Sequence, residues 1–233
     1  MPGIPPTRLI RRFLLHHLPF GVIGLGMVCG IQAAIESTHA PYRWSMATAY
    51  VGLLYLAATL ATGPINLLWR RANPVSTDLR RDLGIWCGLI SLAHVVVGLQ
   101  VHMKSMWLYF VKEITGPKAW TLRDDLFGFA NYTGLIATGV VLILLALSNN
   151  LSMRWLGATR WKNLQRWNYV FLLLTALHGA LYQVIEKRNA GWRTVFWAML
   201  TLTVIVQTVG IVRRLRTTKE SSLIQPSATI PHG

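Results

Sequence analysis

The amino-acid sequence predicts an all-α, polytopic membrane protein, a bundle of about six transmembrane helices. Of its 233 residues, 53% are hydrophobic and only 13% are charged, which leaves too few polar side chains to cover a water-soluble globule. The apolar residues form runs of roughly 20, about the length that a helix needs to cross a hydrocarbon core. These runs show no two-residue alternation, which favours helices over the strands of a barrel.

The chain is expected to divide into three segments. These are a cytoplasmic N-terminal segment at 1–17, a six-helix transmembrane domain at 18–213 and a disordered cytoplasmic tail at 214–233, where no periodicity occurs. The six predicted spans are 18–35, 45–69, 83–103, 132–147, 169–185 and 194–212.

The first span has two interpretations. Arg11 and Arg12 precede it, and residues 38–40 loosely match a cleavage site, a pattern typical of a secretory signal. Against cleavage, the span carries four small residues at helix-packing spacings: Gly21, Gly24, Gly26 and Gly30. Such spacings let helices approach closely, so we expect this helix to remain in the bundle.

Basic residues predict the orientation of the helices. Of the 23 Lys and Arg residues, 15 lie in segments 8–12, 70–81, 154–166 and 213–219. These are alternate segments between the predicted spans, so all four fall on the same side of the membrane. The positive-inside rule therefore places both termini in the cytoplasm. The net charge of +15 belongs to helix ends that face anionic lipid, and no basic stripe indicates a nucleic-acid partner.

The long connection at 104–131 is expected on the outer side. It interleaves charged residues with five aromatic ones: Trp107, Tyr109, Phe110, Trp120 and Phe127. An interfacial helix and a docking surface for an electron acceptor both suit this composition.

Two histidines lie within predicted spans, His94 in the third and His178 in the fifth. Ionisable residues are costly in a membrane and suggest function, although a single intramembrane imidazole is more often a neutral packing residue. His94 lies 13 residues beyond Arg81, and His178 lies 12 beyond Arg166. Both imidazoles therefore reach about the same depth, roughly 18–20 Å from the cytoplasmic edge. Such a pair can give two axial nitrogens to the iron of a b-type haem.

Small residues accompany His94 on its helix. Cys87, Ser91 and Gly98 share its predicted face, and their size would leave room for a porphyrin, although small faces also serve ordinary helix packing. Cys29 and Cys87 lie in different spans and form no metal-binding or redox pair.

The sequence around the two histidines resembles a known family, the ferric reductase-like transmembrane proteins. The motifs are Arg80-Arg81-Asp82-Leu83-Gly84, which leads to His94, and the segment 161–169, Trp-Lys-Asn-Leu-Gln-Arg-Trp-Asn-Tyr, which leads to His178. The family includes the membrane cores of ferric reductases and NADPH oxidases and the haem-binding membrane subunit of the bacterial methionine sulfoxide reductase system. The resemblance covers most of residues 45–213 and implies a six-helix, haem-binding core that transports single electrons.

The chain departs from the fuller members of this family at one point. Those members carry a second histidine roughly four helical turns earlier on each ligand helix and hold two stacked haems. Here Arg80 or Arg81 and Gln165 stand at the corresponding positions, and neither residue type is a usual haem ligand. We therefore predict one haem b in the outer half, with His94 and His178 as its iron ligands.

The remaining histidines are weaker candidates. His102 lies eight residues past His94, about 80° away around the helix, and is a minor candidate for a third ligand. His16 and His17 precede the first span on the cytoplasmic side. They are candidates for ligating an inner haem, for contact with a quinone headgroup, or for an interfacial role without a ligand.

These observations predict a membrane b-type cytochrome, the electron-transfer subunit of a membrane oxidoreductase. Electrons would pass from membrane quinol or a separate flavoprotein reductase to an acceptor protein at the outer, extracytoplasmic face. We expect a separate donor because about 20 residues follow the last span and no Gly-rich dinucleotide-binding turn occurs. The expected location is a plasma membrane, the inner membrane of a bacterium, with the lipid bilayer as a partner and quinone as a candidate second cofactor.

Two alternatives remain open. A haem-free or degenerate scaffold or assembly subunit would explain the missing inner ligands. A small-solute transporter would need broken helices or intramembrane carboxylates, and apart from Pro64 the predicted spans contain neither.

Overall fold

A computed structural model of the chain describes residues 10–69, 77–102, 104–113 and 120–224. Several residues that enter the expectations above lie outside this part of the chain: Arg8, Arg70, Arg71, Met103 and the end of the tail at 225–233.

Helices make up most of the described residues. They are α1 (Leu18–Ala34), α2 (Ala40–Leu68), α3 (Thr77–Gly98), α4 (Leu126–Leu147), α5 (Asn150–Gln165), α6 (Trp167–Ile185) and α7 (Ala190–Ile224). A π-helical turn, Phe13–His17, leads into α1. Between α3 and α4 the chain forms a short 3₁₀ helix (Met106–Tyr109) and an antiparallel hairpin of β1 (Val111–Glu113) and β2 (Trp120–Leu122).

Six helical stretches in the described part of the chain are long and apolar enough to cross a membrane. They are α1 with its π-helical turn, α2, α3, α4, α5 together with α6, and α7. Large apolar side chains such as Val22, Leu25 and Leu173 are more than half exposed, as expected for a bundle that is surrounded by lipid. The chain is a multi-pass membrane protein, which confirms the predicted fold class. We name the end predicted to be cytoplasmic the inner end.

α2 is the central helix of the bundle. It packs against α1, α3 and α7, while α4 packs against α6. Ala47 of α2 is fully buried, and two tyrosines of the same helix bind its neighbours. Tyr55 Oη donates to the Phe20 carbonyl oxygen at 2.5 Å, and Tyr50 Oη donates to that of Trp192 at 2.8 Å. Such interhelical hydrogen bonds hold helices together where apolar burial drives little association.

Several helices begin before the predicted spans. α2 begins at Ala40, α3 at Thr77 and α4 at Leu126, because each helix continues past its apolar run with polar turns that hydropathy does not mark. Asp125 is the N-cap of α4, and its Oδ1 accepts a hydrogen bond of 2.7 Å from the Gly128 amide.

The structure adds helix in two places where the sequence patterns predict none. α5 carries exposed Arg154 and Arg160 and has a break at Gly157, where φ is 73° and ψ is 157°. It contains no continuous apolar run and gives no hydropathy signal. α7 continues to Ile224, into the segment for which we expected disorder. The assignment of the terminal segments to the cytoplasm stays a prediction.

The outer connection folds back onto the bundle. In its described residues it forms the 3₁₀ turn and the hairpin, and no interfacial helix. Tyr109 of the 3₁₀ turn is almost fully buried, donates a hydrogen bond of 2.9 Å to the Gly98 carbonyl oxygen and accepts one from the His102 amide. These contacts fix the connection over the outer end of α3.

Candidate functional site

His94 of α3 and His178 of α6 meet inside the bundle. Their ring centroids lie 6.1 Å apart, and the ring planes are inclined by 78°. The two helices face each other across a cavity, with α3 held by α2 and α6 held by α4. The residues that the sequence predicts at equal depth are thus neighbours, and their role as ligands stays a prediction.

The backbone holds both imidazoles in one tautomer. His94 Nδ1 lies 2.9 Å from the carbonyl oxygen of Ser45, and His178 Nδ1 lies 2.8 Å from that of Ala130. A carbonyl oxygen only accepts, so each Nδ1 carries the proton and donates it. The lone pair of each ring is then on Nε2, which has no hydrogen bond to any described residue. Metal-ligating histidines are commonly oriented in this way.

The space for the His178 ring depends on Gly134 of α4. A Cβ at this position would lie 2.8 Å from Nδ1 and 2.9 Å from Cε1 of His178, which is closer than atoms pack without displacement. Gly98 is less restricted, because a Cβ there would lie 3.4 Å from Ser45 Oγ and 3.9 Å from His94 Cε1.

Both histidines line a cavity of about 350 Å³ between α2, α3, α4 and α6. This volume falls within the range of roughly 300–1,000 Å³ that is typical of cofactor pockets. Apolar side chains such as Leu53, Val141 and Phe171 make up most of its wall. Polar side chains also line the cavity. They include the two imidazoles and, near the outer end, Gln183, Glu186 and Arg188.

The spacing of the two imidazole rings fits the two axial positions of a six-coordinate haem iron. Two metal–nitrogen bonds of roughly 2 Å each, together with two imidazole radii of about 1 Å, would separate the ring centroids by about 6 Å. The observed centroid distance is 6.1 Å. No group of three or more His, Cys, Asp or Glu side chains among the described residues could hold a bare metal ion, whereas a haem needs only two axial ligands from the protein.

The three small residues that the sequence predicts near His94 occupy different places. Ser91 and Gly98 line the cavity, and Ser91 Oγ donates to the Cys87 carbonyl oxygen at 2.8 Å. Cys87 is 3% exposed, packs in the apolar core and is not part of the cavity wall. Its sulfur lies 3.7 Å from the Gly52 carbonyl oxygen, because α2 crosses α3 closely at this level.

His102 lies near the outer end of the cavity and is paired with a carboxylate. Its Nε2 is 2.6 Å from Glu186 Oε1. Its ring stacks on Tyr182 with centroids 6.1 Å apart, and the Tyr182 ring in turn lies 4.9 Å from that of His178. Of the histidines in the outer half, His102 therefore contacts a carboxylate through Nε2, while His94 and His178 have no hydrogen bond at Nε2 to any described residue.

His16 and His17 meet a buried carboxylate at the inner end. Asp82 of α3 is 0% exposed, and His16 Nδ1 and His17 Nε2 lie 2.7 Å and 3.4 Å from its oxygens. Arg12 donates to both oxygens of the same carboxylate. Since α3 begins at Thr77, Asp82 is inside a membrane-spanning helix, which corrects the expectation that the spans contain no carboxylate.

The positions where the predicted resemblance would put inner haem ligands have other contacts. Arg81 donates to Asp78 at 3.0 Å and to the side chain of Asn150. Gln165 is the last residue of α5, and its carbonyl oxygen accepts from Asn168 Nδ2 at 3.0 Å. Arg81 thereby joins the start of α3 to the start of α5.

Sequence reasoning missed the groups that position the two imidazoles. The carbonyl oxygens of Ser45 and Ala130 have no side-chain signature, so no sequence pattern could reveal them. Gly134 did carry a signal, because a glycine inside a long apolar helix often marks a close approach.

These features define a class: a multi-pass membrane protein with a pair of intramembrane histidines on facing helices. No family model matches the chain. It is 28% identical over 176 residues, 73% of this chain and 74% of the relative, to the protein-methionine-sulfoxide reductase heme-binding subunit MsrQ of Rhodospirillum rubrum. This match supports a relation to that kind of membrane subunit. The wider resemblance to ferric reductases stays a prediction.

Proposed function

We propose that the chain is a membrane b-type cytochrome that binds one haem through His94 and His178 and passes single electrons across the membrane. The observation that carries this proposal is the imidazole pair itself. The ring centroids are 6.1 Å apart, and each Nδ1 is bonded to a backbone carbonyl oxygen, so that both Nε2 atoms are left for iron. The name of the Rhodospirillum rubrum relative, a heme-binding subunit, supports the same cofactor.

The protein's own residues would do three things at this site. His94 and His178 would hold the iron, and the carbonyl oxygens of Ser45 and Ala130 would keep both rings in the ligating tautomer. The apolar wall would exclude water and supply a low-dielectric surrounding. The haem, when bound, would supply the one-electron redox chemistry.

The donor and the acceptor are proposed to be on opposite sides of the membrane. The donor would be membrane quinol or a separate flavoprotein reductase at the inner side. The acceptor would be a protein at the outer face, where Met106 and Tyr109 of the folded connection border the cavity. The relative is named as a subunit of a methionine sulfoxide reductase, and a reductase that acts outside the membrane would be an acceptor of this kind.

A single haem is proposed because the inner end is occupied by ion pairs. Arg81 is engaged with Asp78 and Asn150, and the nearby Asp82 carboxylate binds Arg12 and two histidines. Neither Arg81 nor Gln165 is a usual haem ligand, and His17 already uses its Nε2 for the contact with Asp82.

The test is the absorption spectrum and haem content of the full chain purified in detergent. We expect the wild type to show a low-spin b-type spectrum, reduced minus oxidised, with about one haem per chain. His94→Ala and His178→Ala should each lose that spectrum, because one ligand cannot keep the iron six-coordinate. His39→Ala is the matched control, since His39 is exposed and lies outside the cavity wall.

Two results would count against the proposal. A wild-type protein that is folded but takes up no haem would favour the haem-free scaffold. A spectrum that survives both alanine substitutions would mean that other residues ligate the iron.

A further inference from the structure

The outer end of the cavity contains buried polar atoms without partners. Arg188 Nε and Gln183 Oε1 are both inaccessible to solvent and have no hydrogen bond within the described part of the chain. Gln183 is 6% exposed, and both residues line the cavity that contains His94 and His178. Buried polar groups are nearly always hydrogen-bonded, so two such groups on one wall indicate a polar ligand.

The Arg188 guanidinium is placed at this wall by its surroundings. Its Cζ lies over the Tyr50 ring, 5.8 Å from the centroid, and Tyr50 is itself fixed by its hydrogen bond to the Trp192 carbonyl oxygen. Glu186, only two residues away, also lines the cavity; its Oε1 lies 2.6 Å from His102 Nε2, although this contact does not have hydrogen-bond geometry. The side chain of Arg188 has no ion pair with any described residue, so its charge is available for an anion.

The chemistry of the two unpaired groups selects a carboxylate. A guanidinium donates two parallel N–H groups, a geometry that matches the two oxygens of a carboxylate. The Gln183 amide can present either its oxygen or its NH₂ group, because the two ends exchange by a half-turn of the side chain. Arg188, His94 and His178 line the same cavity, so a ligand held by the two imidazoles can also meet the guanidinium.

We propose that Arg188, with Gln183 beside it, binds a propionate of the haem and so sets which edge of the porphyrin faces the outer side. This inference rests on the proposed haem site. A porphyrin between two imidazoles can otherwise turn about the axis through its iron. Its two carboxylates would be costly in the apolar part of the cavity. The arginine at the outer end supplies the compensating charge and fixes the rotation.

The test compares haem with haem dimethyl ester, in which both propionates are esterified and uncharged. Each compound is titrated into the full-length apoprotein in detergent, and binding is followed by the Soret absorbance. A charge-assisted hydrogen bond is worth roughly tenfold to a hundredfold in affinity. We expect the wild type to bind haem tighter than the ester by about this factor, and Arg188→Gln to bind the two compounds about equally.

Arg193→Gln is the matched control. Arg193 shares a neighbouring outer pocket with Arg188 but does not line the cavity, so this variant should keep the wild-type preference for haem. Tight binding of the ester by Arg188→Gln, with an unchanged low-spin spectrum, would show that this variant is folded and that its imidazole pair is intact.

The outcomes separate the two proposals. If Arg188→Gln keeps the wild-type preference for haem over its ester, the propionate inference is overturned while the histidine ligands stand. A wild type that binds neither compound overturns the haem proposal itself, and this inference with it.

Discussion

Two pairs of histidines lie at opposite ends of the bundle and are held by opposite kinds of partner. His94 and His178 in the outer half are bonded through Nδ1 to backbone carbonyl oxygens and face a largely apolar cavity. His16 and His17 at the inner end surround a carboxylate, that of Asp82, together with Arg12. The outer pair thus binds uncharged acceptors and has no hydrogen bond at Nε2 to any described residue, whereas the inner pair binds a buried carboxylate.

Local helix geometry explains how the inner pair forms. Adjacent residues of an α-helix point about 100° apart, so His16 and His17 would not normally reach one acceptor. Residues Phe13–His17 form a π-helical turn, and from this turn both rings contact Asp82. π-helical turns are rare and frequently mark functional sites. The contrast shows that an intramembrane histidine is interpreted best from the group that holds it.

The largest effect is expected from Asp82→Asn, which removes the buried carboxylate that binds Arg12, His16 and His17 at the inner end. The amide cannot balance the charge of Arg12, which keeps only the carboxylate of Asp78 at 3.9 Å, and breaking a buried ion pair costs about 3–5 kcal/mol. We expect a much lower thermal midpoint in detergent, measured by the reaction of a thiol dye with Cys87, which is buried until the chain unfolds. A Cys29→Ser background leaves Cys87 as the one thiol.

Asp124→Asn is the control for this experiment. Asp124 pairs with Lys112 at a site where the carboxylate is 78% exposed, and exposed pairs contribute little. Equal midpoints for Asp82→Asn and the wild type would mean that the inner cluster does not stabilise the bundle.

A smaller effect, confined to the outer pair, is expected from Gly134→Ala. The new methyl group would lie 2.8 Å from His178 Nδ1 and would push the ring off the Ala130 carbonyl oxygen. Overpacking of this kind costs about 1–3 kcal/mol, so we expect roughly tenfold weaker haem binding in the Soret titration.

Gly139→Ala changes the same helix where nothing lies within 4 Å of the added Cβ, and it should bind haem as the wild type does. If Gly134→Ala also binds as the wild type does, the position of the His178 ring does not limit ligation.

The sequence could predict the membrane class and the meeting of His94 with His178, because both follow from lengths of apolar helix. Length and rise per residue determine depth, and equal depth on two outward-running helices brings side chains to one level. The positions of Ser91 and Gly98 on the cavity wall follow from the same periodicity. Cys87 shares that periodicity but lies deeper, where α2 covers the face.

The partners of the histidines could not be predicted in this way. Ser45 and Ala130 act through backbone oxygens, which every residue has. Asp82 was predicted just before a span, because a hydropathy pattern marks only the apolar part of a helix, whereas the structure places it inside α3. Its partners, Arg12 and the two histidines of the π-helical turn, lie about 70 residues earlier in the chain, and single-sequence patterns do not report such long-range pairs.

The smallest effect is expected at a third carboxylate, Asp125, which is partly exposed and caps a helix. The Arg123 guanidinium and the Gly128 amide donate to it, and these bonds, that of Arg123 first, hold the pKa of Asp125 below its usual range. Asp125→Ala should lower stability by about 1 kcal/mol.

Because the pKa of Asp125 is lowered in the folded state, this contribution is complete above the unfolded-state pKa of about 3.9 and is lost as the pH falls through the folded-state pKa. Thermal melts followed by circular dichroism should therefore show a difference in midpoint temperature between wild type and variant. This difference should be constant above about pH 5 and should disappear in stronger acid. A difference that stays constant down to the lowest pH would show that the charge of Asp125 does not support the cap, in contrast to the charge of Asp82 at the inner end.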